Sequence, residues 1–270
     1  MLPTKREIKI PCLLDCLMGR KPFLLLFLWV FLAVGQLAIP AAPALVIPAP
    51  TTVPSPSATA SQLVIPSPEV RQHWADRVRL FSLQSVSGRP VVLLGDSLTE
   101  GFDAAKYFPG HPVFNRGISS DVIGNGLAPG DNRGLLQRLD CSVFPCQAAD
   151  VFILIGINDL GDGHRLDLME QGYRELLQRL HTVSPGARLH VQSLLPTRVP
   201  YARHNENIRL FNVRLRHLAG EFHADYLDLH ALLVDDHGEL KADCTREGLH
   251  LNDRGYQIWQ AAINQSMGWH

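Results

Sequence analysis

Apolar and polar residues follow two patterns along the chain, one typical of buried strands and one typical of amphipathic helices. Short runs that are apolar throughout, such as Val151–Ile155, recur between longer segments in which apolar residues return every three or four positions. A short, fully apolar run is typical of a parallel strand covered on both faces. Strands are predicted at 90–95, 112–116, 150–155, 188–194 and 224–228, and helices at 131–139, 166–182, 204–220 and 253–266.

A further helix is predicted where this patterned region begins. Ser67 is a residue type that caps helices, and Pro68 follows it at the first helical position, where proline is favoured. This helix is predicted to run to about Ser85. Strands and helices alternate after it, and such crossovers are right-handed. The sequence therefore predicts an α/β fold, a three-layer α/β/α sandwich around a five-stranded parallel sheet.

The N-terminal segment has the composition of a targeting sequence. Lysines and arginines precede the apolar run Phe23–Gly35, and small residues and prolines follow, including Ala42–Ala44. This order is typical of a signal peptide, whereas the same run extended through Ile39 approaches the ~20 residues that span a membrane. We expect 1–44 to be a cleaved signal peptide or an N-terminal anchor, with membrane attachment through residues 22–44 in the second case. In both cases the rest of the chain is exported.

The segment 45–68 separates this leader from the patterned region. It is rich in proline, serine and threonine and carries little patterned apolar surface, which is typical of a semi-extended linker. The remaining segment, 69–270, has roughly the length of one domain. We therefore expect a leader, a linker and a single folded domain.

Composition and charge exclude several classes of protein. Of the 270 residues, 46% are hydrophobic and 19% are charged, which indicates a globular protein rather than a disordered one. The net charge is −1, and no basic cluster is interleaved with aromatic residues, so we expect no nucleic-acid partner.

The sequence lacks the common cofactor and metal motifs. It contains no phosphate-binding G-x-x-x-x-G-K-[ST] loop, no H-E-x-x-H and no C-x-x-C pair, so we expect no cofactor and no metal. The Asp235–Gly238 segment is interpreted as a solvated turn. Cys141 and Cys146 are near enough in sequence to bridge a short loop in an oxidising compartment, but they could equally remain thiols.

Candidate chemistry begins at Ser97, which directly follows the predicted strand at 90–95. A serine hydroxyl is a weak nucleophile at neutral pH, and it needs a base, a group that orients the base, and donors for an oxyanion. Because parallel strands carry ligands beyond their carboxyl ends, Ser97 is placed where α/β proteins do their chemistry. Its own backbone N–H is one candidate oxyanion donor.

The candidate base is His250, which lies shortly before the last helix. The chain has 12 histidines, and this one is distinguished by Glu247, three residues earlier. At that spacing a carboxylate and an imidazole can lie on one face, and the carboxylate then fixes the tautomer of the ring. Asp243 is the alternative candidate for the acid.

Two more positions follow predicted strands. Asn158 comes directly after the strand at 150–155, and its side-chain amide is a candidate oxyanion donor. Gly117 ends the second strand, and its backbone N–H can approach a reacting centre because glycine has no Cβ.

In this order the segments resemble the SGNH (GDSL-type) esterase and lipase family. The resemblance covers residues 88–270, and it implies a flavodoxin-like sandwich and acyl transfer to water through an acyl-serine. It also implies that Ser97 is the nucleophile and His250 the general base and then acid. The N–H of Ser97, the N–H of Gly117 and the Asn158 amide would form the oxyanion hole. The matching residues are Gly95-Asp96-Ser97-Leu98, Gly117, Gly156-Ile157-Asn158-Asp159 and Glu247-Gly248-Leu249-His250.

The sequence departs from the family at one catalytic position. The family usually has an aspartate three residues before the histidine, whereas this chain has Glu247. The longer side chain either bonds the imidazole, as in the Ser-His-Glu triads of other folds, or pushes the ring out of line.

Several functions remain open at this stage. We expect an exported esterase for small acyl esters, acetylated carbohydrate or lysophospholipid. The alternatives are a non-catalytic carbohydrate- or lipid-binding module of the same fold and an O-acyltransferase that uses the same serine. The segments expected to line the site are 118–134, Tyr107-Phe108 and 197–206. The sequence does not indicate an oligomeric state.

Overall fold

Five parallel strands form a single sheet in the computed structural model, which describes residues 64–269. The strand order is β2-β1-β3-β4-β5. β2 therefore lies on one side of β1, and β3, β4 and β5 follow in order on the other side. Gly95 at the end of β1 is in register with Gly117 of β2 and Leu154 of β3, so these three strands end at one edge. The strands are β1 (Val91–Gly95), β2 (Val113–Gly117), β3 (Asp150–Leu154), β4 (Arg188–Gln192) and β5 (Asp225–Leu227).

Helices cover both faces of the sheet and confirm the predicted α/β sandwich. The amphipathic spacing puts the apolar residues of each long helix on the sheet: in the helix over 166–183, Tyr173, Leu176 and Leu180 are all buried. The helices are α1 (Pro68–Leu83), α2 (Ser97–Glu100), α3 (Ala104–Tyr107), α4 (Leu135–Ser142), α5 (Ile157–Gly161), α6 (Leu166–Val183), α7 (Asn205–Glu221), α8 (Leu229–Leu233) and α9 (Asp253–Met267).

Helix α4 starts later than the predicted 131–139. The Asp131 carboxylate accepts from the backbone N–H of Arg133 at 3.0 Å and also binds its guanidinium, which closes a turn in place of a first helical turn. Gly134 then adopts a φ of 127°, which is outside helical geometry. The helix therefore starts only at Leu135.

An aromatic cluster joins α9 to the first turns after β1. The ring of Phe102 lies 5.1–5.5 Å, centroid to centroid, from the rings of Tyr107, Phe108, Tyr256 and Trp259. Tyr107 and Phe108 are buried in this cluster, so the expectation that they line the site is wrong. They instead help to hold α9 against the turns that follow β1.

Most of the predicted leader and linker cannot be compared with the structure. Residues 1–44 and most of 45–68 lie outside the described residues, so their assignment stays a prediction. Between residues 64 and 269, no helix combines the length and apolar character needed to cross a membrane.

Candidate active site

Ser97 lies at the first position of α2, immediately beyond the edge where β1 ends. Asp96 caps this short helix by accepting the Leu98 N–H at 3.0 Å. A Cβ on Gly95 would overlap the carbonyl oxygen of Leu154, so only glycine allows β1 to approach β3 this closely before the turn. The turn therefore presents Ser97 at the sheet edge, and the Ser97 N–H, as the first of the helix, has no intrahelical acceptor.

The structure brings Ser97, His250 and Glu247 together although 153 residues separate the serine from the histidine. Ser97 Oγ lies 3.0 Å from His250 Nε2, and His250 Nδ1 lies 2.6 Å from Glu247 Oε1. A carboxylate only accepts hydrogen bonds, so the proton is assigned to Nδ1, which leaves Nε2 to accept from the serine hydroxyl. This is the geometry in which a histidine removes a serine proton.

The backbone of the loop that carries His250 is held by the Thr245 side chain and by the neighbouring segment at Arg198. Thr245 Oγ1 donates to the His250 carbonyl at 2.8 Å and accepts the Gly248 N–H at 2.8 Å. The backbone N–H of Arg198 donates to the Gly248 carbonyl at 2.7 Å, so the 197–206 segment starts beside this loop. Gly248 has a φ of 100°, and a Cβ there would lie 2.6 Å from the Val199 carbonyl oxygen.

Asp243, the alternative acid, is engaged elsewhere. Its carboxylate lies 2.9 Å from Arg254 Nε in an exposed ion pair. Glu247 is the carboxylate that contacts the imidazole, and its Oε1 also accepts the backbone N–H of His250 at 3.0 Å. One oxygen atom thus binds both the ring and the backbone of the same histidine.

Asn158 follows β3 and faces the loop after β2. Its side-chain Nδ2 donates to the carbonyl of Asp121 at 2.9 Å. An amide nitrogen has two N–H groups, and the second remains available to a substrate oxygen. Asp121 therefore orients the side chain that is the candidate oxyanion donor.

Gly117 is required for packing, and its N–H is already used. The N–H donates to the Asn115 side chain at 2.8 Å. A Cβ at position 117 would overlap the backbone nitrogen of Glu100, so glycine allows the end of β2 to lie against α2. The hydrogen bond to Asn115 therefore competes with the predicted role of the Gly117 N–H in the oxyanion hole.

Ser120 was not among the predicted site residues, although its backbone N–H is the one in the 117–121 loop that remains available to a substrate oxygen. Within 117–121, the N–H groups of residues 118, 119 and 121 donate to Gly95 O, Glu100 Oε2 and Ile118 O, respectively. No acceptor for the Ser120 N–H lies among the described residues. Ser120 has a φ of 63°, a conformation that glycine usually supplies, and the serine gave no sequence signal for it.

Three carboxyl groups are buried behind the site. Burial, together with the nearby Asp121 and Asp159, raises the pKa of Asp96 to about 7 against the opposing hydrogen bond from Leu98. Burial also raises the pKa values of Asp121 and Asp159. Arg138 compensates Asp121 with an Nε–Oδ2 distance of 2.8 Å.

The same guanidinium ties two strand ends together. Arg138 Nη2 donates to the carbonyl oxygens of Gly95 and Arg116, at 3.1 and 2.8 Å. The charge that compensates Asp121 therefore also fixes the ends of β1 and β2, from which Ser97 and the 117–121 loop start. The side chains of Arg138 and Asp121 are both fully buried.

Between residues 64 and 269, no three or more His, Cys, Asp or Glu side chains are grouped so as to hold a metal ion. Cys146 is a buried thiol whose Sγ lies 3.5 Å from the Ser142 carbonyl, so the structure forms no bridge between it and Cys141.

Three solved structures with a similar fold are distant from this chain in sequence. A Streptococcus pneumonia protein provisionally described as a platelet activating factor is 24% identical, with a TM-score of 0.66 over 74% of this chain and 94% of its own. A GDSL-like lipase from Bacteroides thetaiotaomicron is 20% identical, with a TM-score of 0.60 over 74% and 97%. Axe2, an acetylxylan esterase from Geobacillus stearothermophilus, is 18% identical, with a TM-score of 0.52 over 70% and 98%.

The sequence itself provides the family assignment. Among curated proteins, none matches the chain significantly. The family model of the GDSL-like lipases and acylhydrolases, however, matches residues 93–258, which is more than half of the chain. The match contains Ser97, Asn158, Glu247 and His250, the residues that the fold gathers at one sheet edge. This chain therefore belongs to the GDSL-like lipase/acylhydrolase family.

Proposed function

We propose that this protein is a serine esterase that hydrolyses acyl esters through an acyl-serine intermediate. The observation that carries the proposal is the continuous contact from Ser97 Oγ through the His250 ring to Glu247, with distances of 3.0 and 2.6 Å. A chain of this kind activates a serine for attack on a carbonyl carbon.

The reaction proceeds in two steps, the formation of the acyl-serine and its hydrolysis. The Ser97 oxygen bonds to the ester carbonyl carbon while its proton passes to His250 Nε2. The tetrahedral intermediate then collapses, the alcohol leaves with that proton, and the acyl group stays on Ser97. Water next attacks the acyl-serine while His250 Nε2 takes its proton. The bond between the acyl carbon and the Ser97 oxygen then breaks, the proton returns from His250 to that oxygen, and the carboxylic acid is released.

The oxyanion formed in each step requires donors that are in place beforehand. We assign this role to the N–H groups of Ser97 and Ser120 and to the free N–H of the Asn158 amide. The first two have no acceptor among the described hydrogen bonds, and the third is oriented by Asp121. Such preorganised donors typically contribute ~10²–10³-fold each to the rate.

The openness of the site favours short acyl groups. The His250 side chain is 40% exposed and that of Glu247 is 42% exposed, so this part of the site lies at the surface and not in a deep apolar tunnel. A long acyl chain would gain little from burial here. We therefore favour small acyl esters, including acetyl groups on carbohydrate, over lysophospholipid.

Hydrolysis of p-nitrophenyl esters of increasing chain length by the full chain, with Ser97→Ala as the control, tests this proposal. We expect Ser97-dependent hydrolysis that is fastest for acetyl or butyryl esters. Equal rates for wild type and Ser97→Ala would contradict an esterase and favour a binding module. Transfer of the acyl group to an added glycan in preference to water would identify an O-acyltransferase.

We also propose that the folded domain acts outside the cytoplasm. The support is the basic segment, apolar run and proline-rich linker at 1–68. Fractionation of cells that express the full chain, followed by N-terminal sequencing, tests this. A new N-terminus near residue 44 indicates a cleaved signal peptide, an intact N-terminus in the membrane fraction indicates an anchor, and a cytosolic protein would contradict the proposal.

A further inference from the structure

Helix α1 is held to the domain by polar contacts more than by apolar burial. The structure describes all 16 residues of this helix, and among them only Phe81 is buried. Leu80 and Leu83 are 45% and 72% exposed. Burial of an apolar stripe, the usual reason for a helix to pack, therefore explains little of its position.

Its polar contacts converge on the loop that forms the candidate oxyanion hole. Trp74 Nε1 donates to Asp121 Oδ1 at 3.0 Å. Arg77 Nη2 donates to the Gly117 carbonyl at 3.2 Å. These two side chains, one helical turn apart, therefore hold both ends of the 117–121 loop.

The same helix also contacts the turn that carries the nucleophile. Arg77 Nε and His73 Nε2 each lie 3.1 Å from the carboxylate of Glu100, the last residue of α2. That carboxylate accepts the Ser119 N–H at 2.6 Å. Hydrogen bonds from Ser119 and His73 lower the pKa of Glu100 against the opposing effect of its burial, so it is the anion that these groups share.

Two of the contacted residues, Ser119 and Asp121, lead directly to the oxyanion donors. The carbonyl of Asp121, whose side chain binds Trp74, orients the Asn158 amide at 2.9 Å. The Ser120 N–H lies between Ser119 and Asp121, which are both held. Ser120 also has an unfavourable φ of 63°, and such a conformation persists only where its surroundings fix it.

We propose that Trp74 and Arg77 are positioning residues of the oxyanion hole, through which α1 fixes the Asn158 amide and the Ser120 N–H. The proposal rests on the proposed esterase function, because it assigns α1 a role in that reaction. Donors displaced by about 1 Å lose much of their effect on the transition state, whereas binding of the ground-state ester changes less.

The first test is Trp74→Phe in the full chain, which removes the indole N–H and keeps most of the ring. We expect kcat for p-nitrophenyl acetate to fall about 10-fold with KM within about 2-fold. Arg77→Gln, which shortens the donor to Gly117, serves as a second variant with the same expectation. Trp269→Phe is the matched control: its ring stacks on that of His111, which precedes β2 at the opposite end of the strand from Gly117, and its kcat should match wild type.

The double variant with Asn158→Ala separates positioning from general damage. If Trp74 acts through the Asn158 amide, Trp74→Phe should lower kcat by less than about 3-fold once that amide is absent. An unchanged kcat in Trp74→Phe and Arg77→Gln would overturn the proposal, and an equal loss with and without Asn158 would overturn the role of Trp74 in fixing that amide.

Amide hydrogen exchange gives a readout that does not depend on activity. We expect faster exchange of the 117–121 amides in Trp74→Phe than in wild type and in Trp269→Phe. Unchanged protection of this loop would overturn the role of α1. If wild type hydrolyses no faster than Ser97→Ala, the esterase proposal fails, while the exchange experiment still decides whether α1 fixes the loop.

Discussion

Glu247 Oε1 contacts His250 at two atoms, Nδ1 at 2.6 Å and the backbone nitrogen at 3.0 Å. The double contact shows how a glutamate reaches the imidazole from the position where related sequences usually have an aspartate. Gly248 has a φ of 100°, which bends the loop between the two residues. The longer side chain therefore turns back to its own loop, and the ring still points its Nε2 at Ser97.

The first prediction concerns this carboxylate. Glu247→Gln should lower kcat/KM for p-nitrophenyl acetate by about 100-fold, because an amide no longer stabilises the imidazolium and can favour the wrong tautomer. Asp243→Asn, in the ion pair with Arg254, is the matched control and should stay within about 2-fold of wild type. Wild-type kinetics in Glu247→Gln would indicate a Ser97–His250 pair that needs no acid.

A second prediction concerns stability and pH at Asp96. Its pKa is raised to about 7 by burial, so between pH 4 and 7 the folded protein binds more protons than the unfolded chain. The free energy of unfolding contributed by this group therefore falls as pH rises through that range. Asp96→Asn does not ionise and keeps an oxygen to cap Leu98, so its stability relative to wild type should increase from pH 4 to 8, by up to about 4 kcal/mol.

Asp167 provides the control of opposite sign. The exposed ion pair with Arg165 lowers its pKa to about 2, so its stabilising contribution is present above about pH 4 and is lost as pH falls through about 2. The difference in the free energy of unfolding between Asp167→Asn and wild type should change with pH only in the acid range. Denaturant unfolding across pH 2–8 checks both variants, and a pH-independent difference for Asp96→Asn would contradict an ionisable buried carboxyl.

The fold could be predicted from the sequence because apolar residues are spaced differently in buried strands and in amphipathic helices. The all-apolar Val151–Ile155 run became β3, and Ser67-Pro68 marked the start of α1 to the residue. The start of α4 was missed because Asp131 forms a side-chain turn with Arg133, a local interaction that competes with a helix.

The gathering of Ser97, Asn158 and His250 at one edge could be anticipated because parallel strands end together. The role of α1 could not, because Trp74 and Asp121 are 47 residues apart and their contact depends on packing. Ser120 was missed for a different reason. Its φ is imposed by the hydrogen bonds of its neighbours, and a serine carries no local preference for it.

A third prediction follows from the close approach of Gly117 to α2. Gly117→Ala should destabilise the protein by about 3 kcal/mol and strongly reduce activity, since the added Cβ overlaps the Glu100 backbone and not a movable side chain. Gly220→Ala, in α7, is the matched control: nothing lies within 4 Å of the added Cβ, and helix propensity should make that variant slightly more stable. Thermal unfolding measures both, and equal melting temperatures for Gly117→Ala and wild type would contradict this packing.

A fourth prediction separates the backbone of Ser120 from its side chain. Ser120→Gly should retain at least wild-type kcat and gain about 1 kcal/mol in stability, because glycine adopts a φ of 63° freely and the N–H remains. Ser120→Val should be destabilised, because a β-branched side chain disfavours this φ. A loss of kcat in Ser120→Gly with intact stability would instead assign the catalytic contribution to the hydroxyl group.

The proposed esterase activity depends on Ser97 as a nucleophile that His250 activates. The most direct measurement is labelling of the full chain with a fluorophosphonate ester, followed by peptide mass spectrometry, for wild type, Ser97→Ala and His250→Ala. We predict one phosphonylated site, at Ser97, absent in Ser97→Ala and formed at least about 100-fold more slowly in His250→Ala. Labelling of another serine at the same rate in all three proteins, or no labelling of folded wild type, would contradict the account.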